Sequence, residues 1–210
     1  TLDMLGWEDC HLLGHSMGGA ISATYSAGAP ERVRSITLLD SIGPLSSQAG
    51  ETTDRLRRSL VKNRRGPQVA RRYASVEEMV AARRSVSDLS ERAARLICER
   101  AARPVEDGFT WRSDPALNWI SSLVMTDEQA LDLIASIRVP AISFTISSGS
   151  SWFSAATVAA RKRALADARH VSIDGHHHFH MDAPQEVGET IRQFIVQHDH
   201  PPSARKPNDP

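Results

Sequence analysis

Short apolar runs alternate with stretches of helical length along much of the chain. The runs have the length and the apolar or β-branched content of buried strands, at residues 10–13, 32–39, 141–147 and 169–173. Helices are predicted at residues 20–27, at 155–166 and from 182–184 onward. Strand, helix and strand follow one another within about thirty residues, which predicts a parallel sheet.

Two polar residues follow directly on predicted strands. Ser16 comes shortly after the first strand, and Asp40 ends the second. Ligand sites of parallel sheets lie at the carboxyl ends of the strands. We therefore expect Ser16 and Asp40 to lie at the functional edge of the sheet.

The middle of the chain, residues 45–138, is charged, alanine-rich and helical in pattern. Capping boxes at Ser75 and Thr126 each predict the start of a helix. Residues 89–102 predict a further helix with Leu96 and Ile97 on its apolar face. The aromatic residues between these helices are consistent with the packing of the helices or with the wall of a substrate pocket: Phe109, Trp111 and Trp119.

The segment Gly14-His15-Ser16-Met17-Gly18-Gly19 has the pattern G-x-S-x-G. In a nucleophile elbow, this pattern places a serine on a sharp turn between a strand and a helix. The pattern is short enough to occur by chance as a glycine-rich turn that opens a helix. The strand predicted before it and the helix predicted after it favour the elbow, with Ser16 as the nucleophile.

Composition excludes several classes of protein. The 210 residues are 40% hydrophobic and carry a formal net charge of zero at pH 7. We therefore expect neither nucleic acid nor an anionic membrane as a partner. Two cysteines are too few for a disulfide framework or a zinc site. No stretch has the length of a membrane span or the form of a signal peptide, so we expect a cytoplasmic location.

The motif, together with later segments, resembles the α/β-hydrolase superfamily. Those segments are Gly175-His176-His177, and Asp107 to Pro115, which is most similar to the serine-hydrolase-like branch. The resemblance implies an α/β fold, with a parallel sheet flanked by helices and an inserted α-helical cap. It places the hydrolase core at residues 1–44 and 139–197 and the cap at 45–138. Because the family's earlier strands have no counterpart before the elbow, it also implies the C-terminal part of such a fold. The polar, proline-rich residues 198–210 are predicted to be disordered.

The general base is expected late in the chain, because triads of this family run in the order Ser, acid, His. The family's spacing to the proline that opens the last helix indicates His177. His180 is then the second histidine of the loop, and His176, directly after the glycine, is the alternative base. Histidine-rich tracts can bind zinc. However, adjacent rings do not easily converge on one ion, so we predict neither a metal nor another cofactor.

The triad acid is less clear from the sequence. The family usually places it in the loop that follows the third strand, but residues 148–153 contain no carboxylate. Asp40 is the other position used in the superfamily, although it would serve equally to cap a turn before Gly43 and Pro44. The backbone N–H of Met17 is expected to be one donor of the oxyanion hole.

The sequence thus predicts a serine hydrolase that acts on a small ester-like or other carbonyl-activated substrate through an acyl-enzyme. The alternative is a catalytically silent hydrolase-fold fragment or a binding module. The sequence names neither the substrate nor an oligomeric state.

Overall fold

A computed structural model of the protein describes residues 1–64, 66, 71–149 and 152–199. The strands are β1 (Cys10–His15), β2 (Val33–Leu39), β3 (Ser46–Ser47), β4 (Ala102–Val105), β5 (Gly108–Trp111), β6 (Met125–Thr126), β7 (Ala141–Ile146) and β8 (Arg169–Ile173). The helices are α1 (Met17–Gly28), α2 (Thr52–Asn63), α3 (Val76–Arg84), α4 (Glu91–Ala101), α5 (Asp127–Ala135), α6 (Ala155–Ala164), α7 (Phe179–Asp182) and α8 (Pro184–His198).

The chain divides into two compact units. The first comprises residues 1–44, 131–173 and 183–210, and the second comprises residues 45–130 and 174–182. These boundaries differ from the predicted core and cap at two places. Residues 131–138 belong to the first unit, and the histidine-rich segment 174–182 belongs to the second. That the second unit forms a cap stays a prediction.

The first unit contains a four-stranded parallel sheet in the order β1-β2-β7-β8. Strand β2 is buried at six of its seven positions, because it has a neighbour on each side. Helix α1 covers one face, where Ala23 packs with Ile36 and Leu38. The side chain of Ser35 points to the opposite face of β2 from Ile36 and Leu38. Its hydroxyl forms a hydrogen bond with Nδ1 of His11 (2.8 Å).

Helix α8 packs against β2, and its buried residues are Val187, Ile191 and Phe194. It continues to His198, and Asp199 then forms an ion pair with Arg34 (2.7 Å). The prediction that disorder begins at residue 198 is therefore wrong for residues 198 and 199. Residues 200–210 lie outside the described part of the chain.

The second unit has a small hydrophobic core of its own, in which Tyr73, Val80 and Leu89 are buried together with smaller side chains. Met79 of α3 is fully buried, as are Ala93, Ala94 and Cys98 of α4. Of the two residues that we placed on the apolar face of α4, Ile97 packs on this core, but Leu96 is 44% exposed. The reason is that Ala94 and Cys98, four residues apart, share the buried face, and Leu96 midway between them points to the opposite side of the helix.

This unit is not purely helical. Helix α4 ends at Ala101, and the chain continues into the antiparallel hairpin β4–β5. Trp111 lies edge-on to Tyr73 and donates its Nε1–H to the Tyr73 hydroxyl (3.2 Å). Phe109 packs on the same core, so both aromatics serve the packing of the unit.

Both predicted capping boxes are present. The Ser75 hydroxyl accepts a hydrogen bond from the Glu78 N–H (3.2 Å). At the start of α5 the bonds are reciprocal: the Gln129 N–H donates to the Thr126 hydroxyl (3.3 Å), and the Thr126 N–H donates to the Gln129 amide oxygen (3.0 Å).

Among the described residues, no helix combines the length and apolar character that crossing a bilayer requires.

Candidate active site

Ser16 occupies the single residue between the end of β1 and the start of α1. Its backbone has φ 55° and ψ −118°, a conformation that residues with a Cβ rarely adopt. Such a conformation costs about 1–3 kcal/mol and persists only where the surroundings enforce it. The strand–turn–helix context predicted for the elbow is therefore present, with the strain located at the serine.

The glycines around Ser16 have unequal roles. A Cβ on Gly14 would lie 2.3 Å from the carbonyl oxygen of Gly18, and a Cβ on Gly19 would lie 2.6 Å from the Cβ of Ser41. A Cβ on Gly18 would meet no atom within 4 Å. Of the two glycines that flank the serine in the motif, Gly14 is therefore required for lack of space, whereas Gly18 is not. The second crowded position is Gly19, which lies outside the five-residue motif.

The Ser16 hydroxyl is not used to cap helix α1. A serine at the N-cap ordinarily accepts a hydrogen bond from one of the first amides of the helix. Within the described part of the chain, Ser16 makes no such capping bond. The first N–H groups of a helix lack intrahelical acceptors, and they carry the positive end of the helix dipole. The N–H of Met17 is the first of them, and its role as an oxyanion donor stays a prediction.

Asp40 follows β2 directly and lies beside Ser16 in the register of the sheet. His15 pairs with Leu39, so the next residues of the two strands are Ser16 and Asp40. The peptide between Leu39 and Asp40 is fixed on both sides. Its carbonyl accepts from the Ser16 N–H (3.0 Å), and its N–H donates to the Phe144 carbonyl (2.9 Å).

The backbone of Asp40 is also in the positive-φ region, at 42°. Among the described residues, Ser16 and Asp40 are the two non-glycine residues with positive φ. The Asp40 side chain is buried, with 9% of the residue exposed. The sheet therefore brings the predicted nucleophile and the predicted acid to neighbouring strand ends, both in strained backbone.

A cavity of about 500 Å³ opens beside Asp40, at the carboxyl ends of β2, β7 and β8. Its wall carries hydroxyls from Thr145 and Ser147, the ring of Phe153 and the side chain of Lys162. The Lys162 ammonium donates to the Thr145 hydroxyl (2.9 Å). In the loop that lacks the family's usual carboxylate, residues 150 and 151 lie outside the described residues.

The histidine-rich segment lies in the second unit and forms tight turns. Gly175 has φ 135°, and the Phe179 N–H donates to the His176 carbonyl (2.8 Å). The ring of His177 lies with its centre 5.1 Å from that of His178. These turns fix the backbone on both sides of His177. That His177 acts as the general base for Ser16 stays a prediction.

The two other histidines that we considered have contacts of their own. The Nδ1 of His176, the alternative base, lies 2.7 Å from a carboxylate oxygen of Asp88. Burial lowers the pKa of His180, and the charge of His177 lowers it further, while Asp182 acts in the opposite direction. His180 is thereby held in its neutral form around pH 7.

Comparison with known proteins places this arrangement in a family. Residues 1–184 match the family described as the alpha/beta hydrolase fold. The chain belongs to the α/β-hydrolase fold family. This membership confirms the predicted fold class, a parallel sheet flanked by helices, and the resemblance on which part of the prediction rested.

Two curated relatives carry serine-hydrolase-like names. The serine hydrolase-like protein of Danio rerio is 26% identical over 93% of this chain and 63% of its own length. Serine hydrolase-like protein 2 of Homo sapiens is 24% identical over 91% of this chain and 66% of its own length. This α/β-hydrolase chain thus spans a little less than two thirds of either relative.

Solved structures show the same fold. A hypothetical protein from Pseudomonas aeruginosa PAO1 superposes with a TM-score of 0.82 at 29% identity, covering 95% of this chain and 71% of that one. A thioesterase domain from the curacin biosynthetic pathway superposes with a TM-score of 0.71 at 19% identity, covering 91% of this chain and 69% of that one. At 19% identity the second likeness speaks for the fold alone.

Proposed function

We propose that this α/β-hydrolase chain is a serine hydrolase that cleaves a small ester or another carbonyl-activated substrate through an acyl-enzyme. Ser16 is the nucleophile, His177 the general base, Asp40 the acid that orients it, and the Met17 N–H one donor of the oxyanion hole. The observation that carries the proposal is the pair of strained polar residues, Ser16 and Asp40, at adjacent strand ends.

A glycine would adopt a positive φ at either position without strain, yet both positions carry a polar side chain. Strained backbone of this kind clusters at active sites, where it presents a side chain in a fixed direction. A hydroxyl presented at a helix N-terminus, beside a buried carboxylate, favours nucleophilic catalysis over a purely structural turn.

The chemistry needs no cofactor. His177 takes the proton of the Ser16 hydroxyl as the serine oxygen forms a bond to the substrate carbonyl carbon. The carbonyl oxygen becomes an oxyanion, which the Met17 N–H and the N-terminal end of α1 stabilise. The histidine returns the proton to the leaving alcohol when the ester bond breaks. Water, activated by the same histidine, then cleaves the acyl-enzyme and restores Ser16. Asp40 accepts a hydrogen bond from the imidazole and stabilises its charged form.

Labelling with a fluorophosphonate probe tests the nucleophile. We expect the protein to react and the Ser16→Ala variant not to react. Ser75→Ala is the matched control, because Ser75 is also an N-cap serine but its hydroxyl does cap its helix. Labelling of Ser16→Ala at the normal rate would refute the assignment. A folded protein that resists the probe would support the silent binding module instead.

The base is tested by a second pair of variants. His177→Gln should abolish labelling, whereas His176→Gln should retain it, since His176 already contacts Asp88. The opposite pattern would transfer the role to His176 and leave the remaining mechanism standing.

A further inference from the structure

Arg161 of helix α6 is a buried cation, with 1% of the residue exposed. It is the first of three consecutive basic residues, Arg161, Lys162 and Arg163, and Arg163 is exposed. Nothing in the sequence distinguishes Arg161 from its neighbours. Burying a charge costs free energy unless hydrogen bonds satisfy the charged group. The contacts of Arg161 therefore indicate its role.

One nitrogen of Arg161 holds the loop that follows Asp40. Its Nη1 donates to the carbonyl of Ile42 (2.8 Å) and to the carbonyl of Pro44 (2.7 Å). The guanidinium also lies over the ring of Phe153, 4.1 Å from the ring centre. Because the chain leaves the sheet at Asp40, these two carbonyls are beyond the sheet ladder, and Arg161 supplies their donor.

The same loop is restrained by two close contacts. Ser41 packs against Gly19 of the nucleophile helix so closely that Gly19 has no space for a Cβ. Gly43 has φ 80°, and a Cβ there would lie 2.7 Å from Ile134. Asp40 thus begins a loop that is held by the elbow helix on one side and by Arg161 on the other.

We propose that Arg161 is a positioning residue for the triad acid. By holding the carbonyls of Ile42 and Pro44, it keeps the strained backbone of Asp40 in place and directs the carboxylate toward the base. The inference rests on the proposed function, in which Asp40 is the acid. Loss of Arg161 should therefore act on catalysis through Asp40.

The test compares Arg161→Met with Arg161→Lys and with the exposed control Arg163→Met on the same helix. Met keeps much of the length of the side chain but donates no hydrogen bond, whereas Lys keeps a cation that can still donate to both carbonyls. In amide hydrogen exchange, we expect faster exchange for residues 40–44 in Arg161→Met, a smaller increase in Arg161→Lys and none in Arg163→Met.

Hydrolysis of p-nitrophenyl butyrate supplies the second readout. Misplacement of a catalytic group by about 1 Å costs on the order of a hundredfold in rate, so kcat of Arg161→Met should fall by about that factor with little change in KM. Arg161→Lys should recover part of the loss.

A double-mutant cycle separates this inference from the proposed function. In an Asp40→Asn background, Arg161→Met should reduce kcat further by less than about twofold, because both changes remove the same contribution. Additive losses, or normal kcat in Arg161→Met, would overturn the positioning role while Asp40→Asn and Ser16→Ala remained inactive. Normal turnover in Ser16→Ala would instead overturn the proposed function. If both Arg161 variants fail to fold, Arg161 is a residue of the fold and the inference is wrong.

Discussion

The two units of the chain are built on different principles. In the first, long aliphatic and aromatic side chains fill both faces of the parallel sheet, among them Ile36, Leu38 and Phe144. In the second, the buried positions of α4 are Ala93, Ala94 and Cys98. The two non-glycine residues that have a positive φ in the described part of the chain both lie in the first unit. Strained residues thus occur where dense packing and sheet hydrogen bonds over-determine the backbone.

The second unit carries many ion pairs on its surface. Arg57 lies 3.2 Å from Asp54, and Arg84 lies 3.5 Å from Glu91, with all four side chains largely exposed to solvent. Exposed pairs of this kind contribute about 0–1 kcal/mol each. The stability of the second unit therefore depends on its few buried residues. The contrast between the two units can be tested by substitutions in each of them.

The largest effect is expected at the triad acid of the first unit. Asp40→Asn should leave the fold intact and reduce kcat by roughly ten-thousandfold, as the comparable change does in a protease triad. Thermal melting and hydrolysis of p-nitrophenyl butyrate measure the two properties. Asp132→Asn, an exposed change on α5, is the control and should alter neither. Near-normal turnover in Asp40→Asn would show that the carboxylate only caps a turn.

In the second unit, Met79→Ala should lower the free energy of unfolding by about 2–5 kcal/mol, because it leaves a cavity at a position with 0% exposure. Leu96→Ala is the control. Leu96 is large but 44% exposed, so its removal should change stability by about 0.5 kcal/mol or less. Urea unfolding followed by circular dichroism and tryptophan fluorescence gives both values. Equal losses of stability in the two variants would mean that the Leu96 side chain is packed against other residues in solution.

At the elbow, Gly14→Ala should cost about 1–3 kcal/mol, since the new methyl group would overlap the Gly18 carbonyl. Gly18→Ala, in the first turn of α1, meets no atom and should stabilise the helix by up to about 1 kcal/mol. Melting temperatures of the two variants decide the matter. A destabilised Gly18→Ala protein would show that the elbow is more crowded than its geometry indicates.

The smallest effect is a pH dependence in the second unit. Burial lowers the pKa of His180 below its unfolded value of about 6.5. Below that pH the unfolded state binds the proton more readily, so stability should fall as the pH drops from about 6.5 toward the folded pKa. His180→Gln should lose less stability between pH 7 and pH 5 than the parent protein does. If urea unfolding shows the same loss of stability with falling pH in both proteins, that result would contradict the expected burial of the His180 ring.

Sequence pattern alone located the four strands of the parallel sheet, two capping boxes and the elbow, because each depends on residues close together in the chain. The capping box at Thr126 is complete within four residues. The strand at 32–39 is visible because Ile36, Leu38 and Leu39 make its second half apolar, and Thr37 between them is β-branched. Membership of a parallel-sheet fold followed from the order of these elements.

Other features depended on contacts between distant segments, which no local pattern encodes. The hairpin β4–β5 was missed because the surrounding residues favour helix, and its strand pairing is stabilised by Tyr73, far earlier in the chain. The crowding at Gly19 comes from Ser41, and the burial of Arg161 comes from carbonyls more than a hundred residues away. Sheet register and loop packing decide which atoms meet. Only the tertiary structure could therefore show that Ser16 and Asp40 follow neighbouring strands and that both have a positive φ.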